Sequence, residues 1–383
     1  MTLRASSLPN LPKVELHVHF DGALSNELLF EHMKTFGISD SMPDTTVLPW
    51  EPEAPLKVRE LLEGCATLGD FNCLCQCQGQ RSLNTMLKCF EIFSPLVRGR
   101  AKLLEDNAYH FVKNQKRQNV VYTEVRYSPH FLATIDDSTA TKVKDGEAKA
   151  VVEAITRGLK RGCDEFGVVV NQILCCINWR PEWADEVVDL ADSFRSLPSC
   201  AVVGVDIAAG EEHFDSNSFP ALHAPHLEAM RKAKSLNIPI TLHAGENADP
   251  ENVRKAVSTY GATRIGHGYR ASDDPEFLKW VVERNVHFEV CPTSSLETGG
   301  WLGQESSVVW KDHPLVRMLE AECSVSINSD DPTVFKTSVE EQVGIVEEDM
   351  GVKMDKIKGI MRRAMEASFA SEETKAAIME KLE

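Results

Sequence analysis

The chain has 383 residues, 43% hydrophobic and 26% charged, with a formal net charge of −17. This composition describes a globular protein and excludes a disordered one. The acidic balance argues against polymeric nucleic acid, which needs clustered Lys and Arg, and no apolar run reaches the roughly 20 residues of a membrane span. Met1–Ser7 has no apolar signal core, and the chain has no Asn-x-Ser/Thr acceptor, so a cytoplasmic location is expected. The eleven cysteines contain no Cys-x-x-Cys and read as reduced thiols. Cys175, Cys176 and Cys291 lie in apolar runs and read as core. The triplet Cys73-Leu74-Cys75-Gln76-Cys77 lacks ordinary zinc-ligand spacing and reads as a surface segment open to oxidation.

In chain order, eight short β-rich runs are predicted: 14–20, 120–127, 168–177, 201–207, 238–243, 264–268, 287–291 and 323–328. Most are near-continuously apolar, as strands covered on both faces should be. Amphipathic helices are predicted between them over 102–118, 147–166 and 224–236. Asp274-Pro275-Glu276 has the form of a helix start. Residues 352–383 read as outer helices. Eight alternations predict a single parallel (β/α)8 TIM barrel with added peripheral helices, spanning 1–383. Residues 39–80, with Pro43, Pro49, Pro52, Pro55 and the Cys triplet, break the alternation. They read as an insertion over or beside the barrel mouth. No Gly-x-Gly-x-x-Gly follows a strand, so a dinucleotide fold has no support.

In such a barrel, functional residues collect at the C-terminal ends of strands. The first run carries His17-Val18-His19-Phe20-Asp21. The fifth leads into His243-Ala244-Gly245-Glu246, the sixth into Gly266-His267-Gly268, the eighth into Ser329-Asp330-Asp331-Pro332. His17 and His19, two apart on a strand, share a face. With His243 and Asp330 they form a nitrogen and oxygen set suited to Zn²⁺, which activates water near neutral pH. Each piece alone has a plain structural reading; four complementary pieces at four strand ends outweigh those readings taken singly. His226-Leu227-Glu228 matches half of a known zinc-site signature, His-x-Glu with Pro-Cys-x-x-Cys, but no Pro-Cys-x-x-Cys accompanies it. That triplet reads as helix surface. Leu83, Met86, Leu87 and Phe90 follow i, i+3, i+4, i+7 spacing and mark one apolar helix face.

Segments 13–22, 121–129, 243–246, 266–269, 287–295 and 328–332 resemble the adenosine deaminase family of metal-dependent amidohydrolases. The resemblance runs over nearly the whole chain, with 39–80 as the main departure. Glu124-Val125-Arg126-Tyr127-Ser128-Pro129 and Phe288-Glu289-Val290-Cys291-Pro292 are similar to the animal-type members. The resemblance implies one zinc on His17, His19, His243 and Asp330. It implies that Glu246 protonates purine N1, which requires a neutral carboxyl with a raised pKa. His267 would orient the attacking water and act as base, while Asp330 accepts a hydrogen bond from it. Asp331 would pair with purine N7, and Asp21 would reach the ribose hydroxyl, with His19 nearby. The helix of Leu83, Met86, Leu87 and Phe90 would be an apolar lid. Relatives commonly show Asp-x-Ala-Gly at the fourth strand end, where a backbone N–H meets purine N3. Here the run is Asp206-Ile207-Ala208-Ala209-Gly210. By register Ala209, in an ordinary conformation, takes that role, with Gly210 as its rival.

The expected substrates are therefore adenosine and 2′-deoxyadenosine. Neighbouring readings are a deaminase of AMP, adenine or 5′-modified adenosines, or a partner-binding barrel without catalysis. Asp21 argues against AMP, because a carboxylate about 4 Å from a phosphate repels it by about 1 to 4 kcal/mol.

Overall fold

The run Lys13–His19 forms strand β1, with six of its seven residues buried. Burial on both faces is the signature of a strand inside a parallel sheet. Seven more strands follow: β2 Val120–Tyr127, β3 Val169–Ile177, β4 Val202–Ala208, β5 Thr241–Ala244, β6 Arg264–His267, β7 His287–Val290 and β8 Ser324–Ile327. In this computed structural model, residues 10–383 are described except 39–41, 43, 49, 135–142 and 304–305. Met1–Ser7, Pro43 and Pro49 lie outside the described residues.

Strands β1 to β4 pair in sequence order, as do β5 to β8, and all these pairs are parallel. Parallel bridges Val18↔Asp330 and Val205↔Ile240 join the two halves. The result is the closed eight-stranded barrel that the sequence predicts. Closure has a direct consequence for chemistry. His19 N donates to Asp330 O at 2.8 Å, and Asp330 N donates to His17 O at 3.1 Å. The seam between first and last strands thus brings residues some 310 positions apart into one site.

Helix Glu147–Phe166 buries Val151, Val152, Ile155 and Leu159 on one face. It crosses helix Ala101–Arg117 so closely that a Cβ on Gly158 would lie 2.1 Å from Glu105 O. Asp274 caps helix Pro275–Glu283 by accepting from Glu276 N, as its sequence predicts. In the tail, helices Met354–Ala367 and Glu372–Met379 pack outside the barrel. Between them, Phe369 lies 3.8 Å under the Arg264 guanidinium at the base of β6. Among the described residues no helix is long and apolar enough to cross a membrane.

The segment after β1 contains a hairpin, Thr46–Leu48 with Glu51–Leu56, and helices Val58–Glu63 and Leu68–Cys75. Thr67 and Asp70 form a capping box at the start of the second helix. Here the Cys-triplet reading needs correction. Cys73 is exposed, but Cys75 and Cys77 are buried. Residues two apart on a helix point about 200° apart, so Cys75 turns inward where Cys73 turns outward. Burial pushes the Cys77 thiol up to about 11 and that of Cys75 higher still, which leaves Cys73 as the one thiol of the triplet open to oxidation. The His226 reading is also corrected. Glu228 is exposed, but His226 is fully buried in helix Pro220–Ser235, and its Nε2 lies 2.9 Å from Asn178 O.

Candidate active site

The strand ends meet as the barrel rule requires. His17 and His19 come from β1, His243 from β5, and Asp330 follows β8. One ligand atom from each of these four lies within 4.8 Å of all the others. His17 Nε2 is 3.0 Å from Asp330 Oδ1, His19 Nε2 is 3.5 Å from the same oxygen, and the Nε2 atoms of His19 and His243 are 3.2 Å apart.

Whether this set suits a metal is decided by where the other ring nitrogens point. His17 Nδ1 is hydrogen-bonded to Glu289 Oε2 at 2.8 Å, and His243 Nδ1 lies 2.9 Å from Asp206 Oδ2. The Glu289 carboxylate keeps the proton on His17 Nδ1 and turns that ring's Nε2 lone pair inward, the usual support of a metal-binding histidine. His17 Nε2 and Asp330 Oδ1 are buried and make no hydrogen bond. Such orphaned acceptors would be costly without a cation between them. The residues fit a divalent metal with nitrogen and oxygen ligands. A rival set of His17, His267, Cys291 and Asp330 is equally compact. Burial holds the Cys291 thiol well above its usual range, which disfavours the thiolate a metal needs.

The supporting carboxylates sit inside the barrel. Arg126 Nη1 donates to Asp206 at 2.8 Å and Arg126 Nη2 to Glu289 at 2.5 Å. Arg264 bridges Glu289 and Glu124 at 2.7 and 2.5 Å. Burial opposes ionisation of Glu289, but the two guanidinium groups overcome it and hold the carboxyl well below the usual range. Burial likewise opposes ionisation of Asp206, and His243 and Arg126 reverse it.

The remaining carboxyls differ in charge state. Burial, reinforced by the Asp330 charge, raises Glu246 to about 8. Burial raises Asp331 well above the ordinary range, with Asp330 and Asp21 adding to it. Burial also raises Asp21 to about 7, against backbone N–H groups that favour its charge. For Asp330 burial is outweighed by His17 and His267, and the carboxyl stays ionised. Glu246 and Asp331 are thus proton-bearing groups beside an ionised one. His267 is the complementary partner. Its Nδ1 lies 3.0 Å from Tyr269 Oη, which donates to Cys291 O at 2.9 Å. The tyrosine proton being committed, His267 Nδ1 is the donor and Nε2 carries the lone pair. That Nε2 faces Glu246 at 3.8 Å and Asp330 at 4.0 Å. Burial holds this ring well below the usual histidine range, so it stays neutral and able to accept a proton.

These groups floor a cavity at the mouth of the barrel. Its walls include Leu83, Met86, Leu87 and Phe90 from helix Leu83–Val97, which Ser82 starts by capping Thr85 N. Trp50 from the segment after β1, and Phe131, Ile177 and Trp179, line it further. Asp21, Ala209 and Asp331 also line it; Gly210 does not. No Lys or Arg occurs among the described lining residues. Ala209 departs from the ordinary conformation expected of it, with φ +68°. His267 at +67° and Asp330 at +63° share this region. A left-handed non-glycine residue is strained by about 1–3 kcal/mol, and such strain gathers at functional sites.

A family profile described as "Adenosine deaminase" matches residues 68–383. The adenosine deaminase of Rattus norvegicus is 34% identical over 376 residues, 97% of both chains. The chain belongs to the adenosine deaminase family. The adenosine deaminase of Enterococcus faecalis is 30% identical over 382 residues, 100% of this chain and 98% of that one. Like these relatives, it is a hydrolase. Solved structures share the fold at lower identity. The adenine deaminase of Arthrobacter aurescens superposes with a TM-score of 0.76 at 19% identity, covering 97% of this chain and 98% of that one. An Arabidopsis N6-mAMP deaminase gives 0.74 at 23%, covering 98% of both. A Burkholderia ambifaria amidohydrolase with bound Zn gives 0.70 at 22%, covering 97% of this chain and 90% of that one.

Strand-end reasoning named His19, Asp21, His243, Glu246, His267, Asp330 and Asp331, which all line the cavity, but missed what orients them. Arg126, Asp206 and Glu289 lie inside strands, each flanked by apolar residues. Charged side chains are almost never fully buried unless paired, so their presence within such runs was the available signal. Trp50 and Trp179, whose ring centroids are 5.3 Å apart at the cavity wall, carry no local motif.

Proposed function

We propose that the chain hydrolyses adenosine and 2′-deoxyadenosine to inosine and 2′-deoxyinosine with release of ammonia, using one zinc ion. The observation that carries this reading is the cavity: proton-bearing carboxyls and a neutral His267 on its floor, an apolar wall, and no Lys or Arg among its described lining residues. His17, His19, His243 and Asp330 would hold the metal. Zinc, when bound, supplies Lewis acidity that lowers the pKa of water.

The chain's own groups do the rest. Glu246 carries a proton and donates it to purine N1, which draws electron density from C6. His267 Nε2 accepts the proton released as water attacks C6. Asp330 stays ionised and accepts a hydrogen bond from that water. Carbon 6 becomes tetrahedral; its amino group takes the proton held by His267 and leaves as ammonia, and the hydroxyl proton at C6 passes to Glu246, which restores the acid and leaves the carbonyl. Asp331, kept protonated, donates to N7, which can only accept. The Ala209 N–H, at the cavity wall, meets N3. Asp21 Oδ1 is buried without a partner and accepts from a ribose hydroxyl, with His19 beside it. Leu83, Met86, Leu87 and Phe90 cover the purine and exclude water. On this reading residues 1–383 act as one catalytic unit, with 39–80 as an insertion that adds Trp50 to the wall.

A nucleotide would bring a phosphate to a cavity that already holds several carboxyls and has no described cation. Parallel assays with adenosine, 2′-deoxyadenosine, AMP and adenine test the assignment. Turnover of the two nucleosides should exceed that of AMP and adenine by about 10- to 150-fold, the range of a lost charged hydrogen-bond partner. Preference for AMP or adenine would overturn it.

A further inference from the structure

We infer that Glu211 is a positioning residue that holds Glu246 in register with the loop carrying Ala209. The inference rests on the reading of Glu246 as the proton donor. Glu211 stands two residues past Ala209, beyond the end of β4. Its Oε2 accepts from Gly245 N at 2.8 Å and from Asn252 Nδ2 at 3.0 Å. Its Oε1 accepts from Glu246 N at 3.0 Å and from Asn247 N at 3.4 Å. Three successive amides therefore converge on one carboxylate, a concavity of N–H groups that selects an anion. The chain can bend this way because Gly245 has φ +65°.

The other side of the same loop is tied down separately. Asn178, just past β3, donates to Glu212, and its Oδ1 accepts from His213 N at 3.0 Å. The loop is thus fixed to β3 on one side and to the Glu246 turn on the other. Glu211 sets the distance between the amide offered to purine N3 and the acid offered to N1. Both contacts are to one rigid ring, so a displaced turn misaligns the acid without removing the base-binding amide. A misplacement of about 1 Å can lower a rate by about 100-fold.

Glu211→Gln keeps the shape but turns one oxygen into an NH₂ group. Whichever way the amide lies, two of the four N–H donors then face another donor. The expected result is a kcat lower by about 10- to 100-fold, with KM within about twofold, on the ground that Asn178 still holds the loop. Metal content and the thermal midpoint should stay near those of the unaltered protein. A kcat within threefold of the unaltered value overturns the inference, as does a loss that appears equally in KM. Should this variant misfold, Asn252→Ala removes a single donor from Oε2. A several-fold fall in kcat at constant KM supports the inference, and an unchanged kcat overturns it. Glu246→Gln, assayed alongside, separates the two layers. Full activity there removes the acid itself. A silent Glu211→Gln beside a crippled Glu246→Gln removes the positioning role alone.

Discussion

Glu289→Gln tests the buried support of the metal site. Glu289 Oε2 takes His17 Nδ1 and Arg126 Nη2, while Oε1 takes Thr241 Oγ1 and Arg264 Nε. Glutamine has nearly the same shape but no charge, and its NH₂ must face one of these donor pairs. Removing one partner of a buried ion pair costs about 3–5 kcal/mol. Each arginine keeps a second carboxylate, Asp206 or Glu124, which argues for the low end, about 3 kcal/mol. At about 2.1 cal/mol/K of unfolding entropy per residue, a chain of this length loses roughly 1.2 °C of Tm per kcal/mol. The midpoint should therefore fall by about 4 °C. His17 also loses the acceptor that orients its ring, so metal affinity should fall by about 10- to 100-fold. Thermal unfolding with and without chelator, together with competition against a chromogenic chelator, reads both effects. An unchanged midpoint and unchanged affinity would refute the reasoning.

Two further changes probe the cavity wall. Met86→Glu places a carboxylate in an apolar wall at a buried position, and KM for adenosine should rise by about tenfold or more. An unaltered KM would remove this helix from substrate binding. Ala209→Gly relieves a left-handed alanine, and the midpoint should hold or rise, because relief of about 1–3 kcal/mol meets an entropic cost of about 0.5–1 kcal/mol. A clear fall in the midpoint would contradict the strain reading.

The barrel was legible because its strands are continuous apolar runs broken at Gly, Pro and charged turns. Every run matches a strand, and Glu147–Phe166 matches its predicted bounds. The cavity floor was legible because a parallel barrel assigns chemistry to strand ends, and His17, His19, His243, Glu246, His267 and Asp330 are chemically distinctive there. Three features were not legible. Glu211 sits in a polar loop where a carboxylate has no local signature, and its partners lie 34 to 41 residues on. The left-handed backbone of Ala209 runs against the preference of its residue type, so no local signal announces it. His226 was misread because its polar partner, Asn178 O, is distant in sequence, so the buried acceptor could not be seen from the helix alone.

The central claim is that a metal held by His17, His19, His243 and Asp330 drives nucleoside deamination. It is tested most directly by measuring adenosine turnover and zinc content in one purified sample, before chelation, after it, and after zinc is restored. The account predicts about one zinc per chain at the start, loss of turnover in step with loss of the metal, and recovery on its return. Full turnover by protein stripped of metal would contradict it.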